Sequence, residues 1–177
     1  RFGIAIADVS GKGVPAALLM SNLQASLRAF CDGRWPIRDA IRHVNQSVVR
    51  TESSGKFITL FYGEIDPGNA RVRYINAGHN YPLLRRADGS VEELREGGTP
   101  LGIFENADYE QGEVSFQPGD GLMLYSDGIS EAIDTMGMEF GEERLRSLWR
   151  QQGRRPPADV IAVVLEDIAS FRGDAGQ

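Results

Sequence analysis

The chain has 177 residues, 41 % hydrophobic and 25 % charged, a composition that fits one globular domain able to bury a core. Its 19 Lys and Arg against 25 Asp and Glu leave a net charge of −6. With no basic stripe and no polybasic patch, that argues against nucleic acid and against a membrane surface as partners. Cys31 is the single cysteine, so no internal disulfide forms, and no CxxC or His-rich spacing offers a zinc site. No apolar run approaches the roughly 18 residues of a membrane span, and there is no signal peptide. A reduced, cytoplasmic setting is expected. The first residue is not Met and lies inside an apolar segment, which predicts a domain drawn from a longer protein.

In chain order, Phe2 to Ala7 is a nearly continuous apolar run and predicts a buried strand ending at Asp8-Val9-Ser10-Gly11-Lys12-Gly13. A helix follows to about Phe30, with Pro15 in its first turn and Ala16, Leu19, Met20 and Leu23 at helical spacing. Ile37, Ile41, Val44 and Val48 mark a second amphipathic helix, with Arg38, Arg42 and Asn45 off the stripe. Phe57 to Ile65 reads as a strand, Asp66-Pro67-Gly68-Asn69 as a turn, and Arg71 to Asn76 as a strand with one wetter face. Leu83 to Arg86 and Val91 to Leu94 predict a hairpin around Ala87-Asp88-Gly89-Ser90. Glu113 to Phe116 leads through Pro118-Gly119-Asp120-Gly121 into Leu122 to Tyr125, a strand apolar on both faces that stops at Ser126-Asp127-Gly128. Glu142 to about Gln152 and Pro157 to about Phe171 read as helices, the latter with a Val160, Val163, Val164, Ile168 stripe. Strand, two helices, a meander and two helices favour an α+β layered fold over regular βαβ units. Glycine, 21 of 177, or about 12 % against the usual ~7 %, agrees with many tight turns.

Two places carry chemistry. Asp8 and Asp127 each stand where an apolar strand leaves the core, beside small residues that allow close backbone approach. Hard oxygen ligands on strand ends suit Mg²⁺ or Mn²⁺. Either aspartate alone also fits a turn or a helix cap. Ser10-Gly11-Lys12-Gly13 has neither the GxxxxGK[ST] nor the GxGxxG pattern, so a nucleotide loop is not supported. His79 can act as a general acid or simply hydrogen-bond within its turn. Glu131 can orient a metal-bound water or cap the next segment. His43 is expected to be partly exposed and Thr59 to be a satisfied core hydroxyl. Met20, Met123, Met136 and Met138 are expected as core or loop filler and not as a binding face, and Arg85-Arg86 and Arg154-Arg155 as solvated.

Five segments in order, Ala7 to Gly13, Phe57-Ile58-Thr59-Leu60-Phe61, Asn76-Ala77-Gly78-His79-Asn80, Pro100-Leu101-Gly102 and Tyr125 to Ala132, resemble the SpoIIE/RsbU branch of the PPM (type 2C) protein phosphatases. The resemblance covers essentially residues 1–177 as a single domain. It implies an α-β-β-α sandwich, two mostly antiparallel sheets flanked by helices, with two Mg²⁺ or Mn²⁺ ions at one edge. Asp8 resembles the aspartate that bridges both ions, Val9 the residue that gives a backbone carbonyl, and Asp127 a carboxylate ligand. The implied reaction is hydrolysis of phosphoserine or phosphothreonine on a protein by a metal-activated water, without a phosphoenzyme.

The pattern departs from the family at both ends. An upstream acidic segment and a C-terminal Asp-Asp strand fall outside the sequence, and the surroundings of Asp174 do not match. A domain truncated by its first and last strands, with weak metal binding, is therefore expected. The resemblance further implies a phosphorylated anti-anti-sigma (STAS) protein as substrate in a bacterial partner-switching pathway, and an upstream sensor or receiver domain. The two helices after Gly13, through Leu19 and Met20, are the expected regulatory element. A homodimer is compatible with the sequence, and a catalytically inactive docking or scaffold domain is the alternative function.

Overall fold

The computed structural model describes residues 1–51, 55–153 and 155–173. They form two compact units, Arg1–Tyr81 with Leu94–Phe116, and Pro82–Glu93 with the chain from Gln117 onward.

In the first unit, β1 (Phe2–Val9), β2 (Ile58–Asp66), β3 (Arg71–Ala77), β6 (Gly97–Gly98) and β7 (Gly112–Ser115) make one sheet, ordered β1-β2-β3-β6 with β7 also on β3. All pairings are antiparallel except β3 with β6. Helices α1 (Val14–Phe30) and α2 (Ile37–Thr51) pack on one face. Alternation decides which side chains they cover: Ile58, Leu60 and Tyr62 of β2 and Ile75 and Ala77 of β3 join Leu19, Leu23, Ile41, Val44 and Val48 in one core. On the opposite face Phe61 stacks on Tyr74, ring centroids 5.6 Å apart. Ser26, buried in α1, donates to Ser47 of α2 at 2.9 Å and so leaves no buried hydroxyl orphaned at the helix contact.

In the second unit β5 (Val91–Glu93), β4 (Leu83–Arg85) and β8 (Gly121–Met123) form an antiparallel sheet in that order. The short α3 (Asp127–Ser130) follows β8, and α4 (Glu142–Gln151) and α5 (Pro157–Arg172) complete the unit. Leu83, Tyr125, Phe140, Leu145, Trp149, Val160, Val164 and Ile168 are its core. The two mostly antiparallel sheets with helices match the α+β class read from the sequence. Among the described residues no helix is long and apolar enough to cross a membrane.

Several local expectations change. β1 is an edge strand whose residues before Val9 are exposed or half-buried, because only β2 pairs with it. β8 is likewise an edge strand and half-buried. Asn45 sits at the centre of the α2 contact, fully buried. Arg85 is 4 % exposed, with its guanidinium over the Trp149 ring and bonded to the carbonyls of Arg86, Gly119 and Gly153. Arg86 pairs with Glu92 and Asp120. Of the second arginine pair, Arg155 is exposed and Arg154 lies outside the described residues. Met136 and Met138 are exposed loop residues.

Candidate metal-binding site

The site in the first unit is set by how β1 ends. Asp8 pairs with Thr59 and Val9 with Ile58. Just beyond, the Ser10 amide donates to the Phe57 carbonyl at 2.9 Å, which makes Ser10 and Phe57 a hydrogen-bonded pair. Antiparallel pairs alternate, so Val9 turns its N–H and C=O away from β2, toward the open edge of the sheet. Ile58 confirms the phase, because its own N–H and C=O are exchanged with Leu101 on the other side at 2.9 and 2.8 Å. The Phe57 amide is taken by the Ser10 hydroxyl at 2.8 Å, which pins the glycine-rich turn to the start of β2.

Asp8 projects from the face opposite α1 and α2 and is exposed, while Val9 packs into the core. The Asp8 carboxylate has no hydrogen-bond or ion-pair partner among the described residues. Asp32, Asp66, Asp88, Asp108 and Asp120, by contrast, are each tied to an arginine, an amide or a hydroxyl.

Opposite Asp8, on the same face, the Thr59 hydroxyl lies 2.9 Å from Nδ1 of His79. His79 is buried at 5 % exposure, and its main chain is clamped from both sides by Asn76. Its amide donates to Oδ1 of Asn76 at 2.7 Å, and Nδ2 of Asn76 donates to its carbonyl at 3.0 Å. Gly78 makes this turn possible. Its φ is +71°, and a Cβ there would stand 2.5 Å from Cγ of Pro100. The Asn76–Asn80 and Pro100–Gly102 segments therefore fit against each other. Leu101 and Gly102 are in turn bound to β2 and to Asn45, whose Oδ1 accepts from the Gly102 amide at 3.0 Å. Thr59 is partly buried and hydrogen-bonded, as expected, and His79 bonds within its turn. His43 is half-buried, stacked on Phe30 and edge-on to Trp35.

In the second unit Asp127 opens α3 as its first residue and is exposed, and its carboxylate has no partner among the described residues. Its carbonyl accepts from the Glu131 amide at 2.7 Å, so Glu131 closes the short helix through its main chain while its side chain stays exposed. α3 leaves no signal in the sequence, because four residues are too few to show a period.

Leu19 is 4 % exposed in the first unit's core, and Met20 packs half-buried against it. Asp174 lies outside the described residues. Among the described residues no group of three or more His, Cys, Asp or Glu side chains gathers as a metal cluster. Each unit by itself presents donors that suit a hard divalent cation: in the first, the Asp8 carboxylate, without a partner among the described residues, and the edge-directed Val9 carbonyl; in the second, the Asp127 carboxylate, likewise without one among them.

The family model for Stage II sporulation protein E (SpoIIE) matches residues 1–177. The phosphoserine phosphatase RsbU of Bacillus subtilis is 33 % identical over 129 residues, covering 72 % of this chain and 38 % of that protein. The phosphoserine phosphatase RsbP of Bacillus subtilis is 30 % identical over 185 residues, covering 95 % of this chain and 46 % of that protein. Among solved structures, the SiaA-PP2C domain of Pseudomonas aeruginosa shares the fold, with a TM-score of 0.83 at 22 % identity over 97 % of this chain and 70 % of that one. The chain spans less than half the length of the curated relatives it matches. With the ordered motifs folded as described, the chain belongs to the SpoIIE family, in the SpoIIE/RsbU branch of the PPM serine/threonine phosphatases.

Proposed function

We propose that this domain hydrolyses phosphoserine or phosphothreonine on a protein, with Asp8, the Val9 carbonyl and Asp127 as ligands of two Mg²⁺ or Mn²⁺ ions. The observation that carries the reading is the end of β1, where an exposed Asp8, without a partner among the described residues, stands beside a Val9 carbonyl turned to the sheet edge. PPM phosphatases are metal-dependent as a family; bound ions supply an activated water and neutralise charge on the phosphoryl oxygens.

The residues of this chain do the positioning. Asp8 is held by a strand pairing of eight residues, and its neighbour Thr59 is fixed by His79. The main chain of Asp8 and the side chain of Thr59 are thus in place before any phosphoprotein arrives. His79 acts through Thr59, and Glu131 stands one helical turn from Asp127, placed to orient a water there. Weak metal affinity in residues 1–177 fits the small donor set. Titration calorimetry checks it, since micromolar or tighter Mn²⁺ binding would contradict it.

The substrate we assign is a phosphorylated STAS protein in a partner-switching pathway, supported by the likeness to RsbU and RsbP. An upstream sensor or receiver domain acts through α1 and α2, and the setting is cytoplasmic. Leu19 is too deeply buried for a substitution to spare folding, so Met20 is the residue at which regulation and stability separate. The test is phosphate release from a phosphorylated STAS protein with and without Mn²⁺. Metal-dependent release supports the phosphatase. Binding without release supports the docking or scaffold alternative.

A further inference from the structure

Immediately after α3 the chain makes a tight hairpin. Ile133 bridges Glu139, the Phe140 amide donates to the Ala132 carbonyl at 2.7 Å, and the Asp134 amide donates to the Met138 carbonyl at 2.9 Å. Asp134 also ties the tip from inside, its Oδ1 accepting from the amides of Met136 at 2.8 Å and Met138 at 2.9 Å. Gly137, at φ +80°, lets the tip turn, and Phe140 anchors the returning strand in the second unit's core.

This well-bonded hairpin holds three large apolar side chains in water. Met136 is 85 % exposed, Met138 64 % and Ile133 53 %. A segment pinned by this many bonds cannot fold over to hide them, and clustered exposed apolar residues mark a contact surface. Methionine in particular adapts its shape to varied partners.

The surroundings decide the partner. From Ser126 to Glu143 there are six acidic residues, Asp127, Glu131, Asp134, Glu139, Glu142 and Glu143, and no Lys or Arg. Asp134 is consumed by the hairpin, Glu142 accepts from Tyr125, and Glu143 pairs with Arg146. Glu139 lies on the returning strand, exposed and without an ion-pair partner among the described residues. An apolar tip with an acidic flank is mismatched to anionic lipid or nucleic acid and matched to a protein patch rimmed by Lys or Arg.

We propose that residues 132–140 are a docking finger for the protein substrate, inserting Met136, Met138 and Ile133 into an apolar recess with a basic rim. The hairpin begins two residues beyond α3, the helix that carries Asp127, so a protein held there is held beside that carboxylate. The identity of the docked protein as the substrate rests on the function proposed above.

The experiment uses the full-length protein that carries this domain and compares it unsubstituted with Met136→Ser/Met138→Ser and with Glu139→Lys, in millimolar Mn²⁺. The probes are a phosphorylated STAS protein and p-nitrophenyl phosphate. Both variants are expected to raise KM for the phosphoprotein about ten-fold or more. Turnover of the small ester and the melting temperature are expected to stay unchanged. An unchanged KM for the phosphoprotein overturns the proposal, as does equal loss on both probes. Binding to phosphatidylserine vesicles, or self-association, that disappears in the methionine variant also overturns it. If the unsubstituted full-length protein neither binds the STAS protein nor turns over either probe, the phosphatase reading itself fails, an outcome distinct from the finger alone failing.

Discussion

The Thr59 hydroxyl lies 2.9 Å from Nδ1 of His79, directly across the β1–β2 ladder from Asp8. In the proposed reading the pair meets Asp8 through a bound ion or its water. A side chain that orients a metal ligand or its water usually matters about 10- to 100-fold in metal affinity or activity. Thr59→Val is therefore expected to lower Mn²⁺-dependent turnover by about that factor, with Thr59→Ser restoring most of it. The two are expected to melt within a few degrees of each other. Equal activity in the valine and serine variants would make the pair purely structural.

Asn45 holds the 102–105 loop with three bonds from a fully buried position. Its Nδ2 donates to the carbonyls of Phe104 at 2.8 Å and Glu105 at 3.3 Å, and its Oδ1 accepts from Gly102. Asn45→Ala leaves those main-chain groups without partners and is expected to cost about 3 kcal/mol. Urea unfolding measures it; a loss below about 1 kcal/mol would mean that water replaces the side chain.

The Asp120 carboxylate is almost wholly buried, and burial alone would raise its pKa. The Gln117 amide, the Arg86 guanidinium and the Ala87 amide outweigh burial and hold it below the usual carboxylate range. A depressed folded-state pKa gives stability that is present above the unfolded value and lost as pH falls through the folded one. Asp120→Asn is expected to lose about 2 kcal/mol at pH 7, with the gap to the unsubstituted protein closing at pH below about 4. Thermal melts from pH 7 down to 3 check both the sign and the window. A gap that widens with acid would contradict the assignment.

Cys31 is half-buried at the C-terminus of α1, and burial pushes its thiol up to about 12, with Glu64 and Asp32 adding in the same direction. The thiolate is the reactive form. Alkylation by iodoacetamide at pH 8 is expected to run on the order of a thousand-fold slower in the folded protein than in urea. Comparable rates would show a thiol open to solvent.

Local periodicity made much of this fold legible. The stripes on α1, α2 and α5, the turn at 66–69 and the hairpin around Ala87–Ser90 all follow from spacing and turn chemistry. Burial of polar groups was not legible, because it depends on partners far along the chain. Asn45 is buried because residues 102–105 arrive beneath it, and Arg85 because Gly119 and Gly153 turn carbonyls toward it. The apolar runs of β1 and β8 suggested central strands, and the pairing put both at sheet edges. The position of Asp8 at the end of β1 was readable, whereas Asp127, expected where a strand stops, opens α3 beyond the end of β8 at Met123. The outward turn of the Val9 carbonyl was not readable, since it depends on the hydrogen-bond phase between β1 and β2.

Asp8 and Asp127 are exposed and without partners among the described residues, so neutralising either is expected to leave the melting temperature within a degree or two. The most direct measurement is phosphate release from a phosphorylated STAS protein in millimolar Mn²⁺ by the full-length protein that carries this domain, with Asp8→Asn and Asp127→Asn beside the unsubstituted form. Release that requires Mn²⁺ and falls about a thousand-fold in each variant, a loss of several kcal/mol of charge stabilisation, is the expected result. Release that needs no metal, or that survives both substitutions, would contradict it.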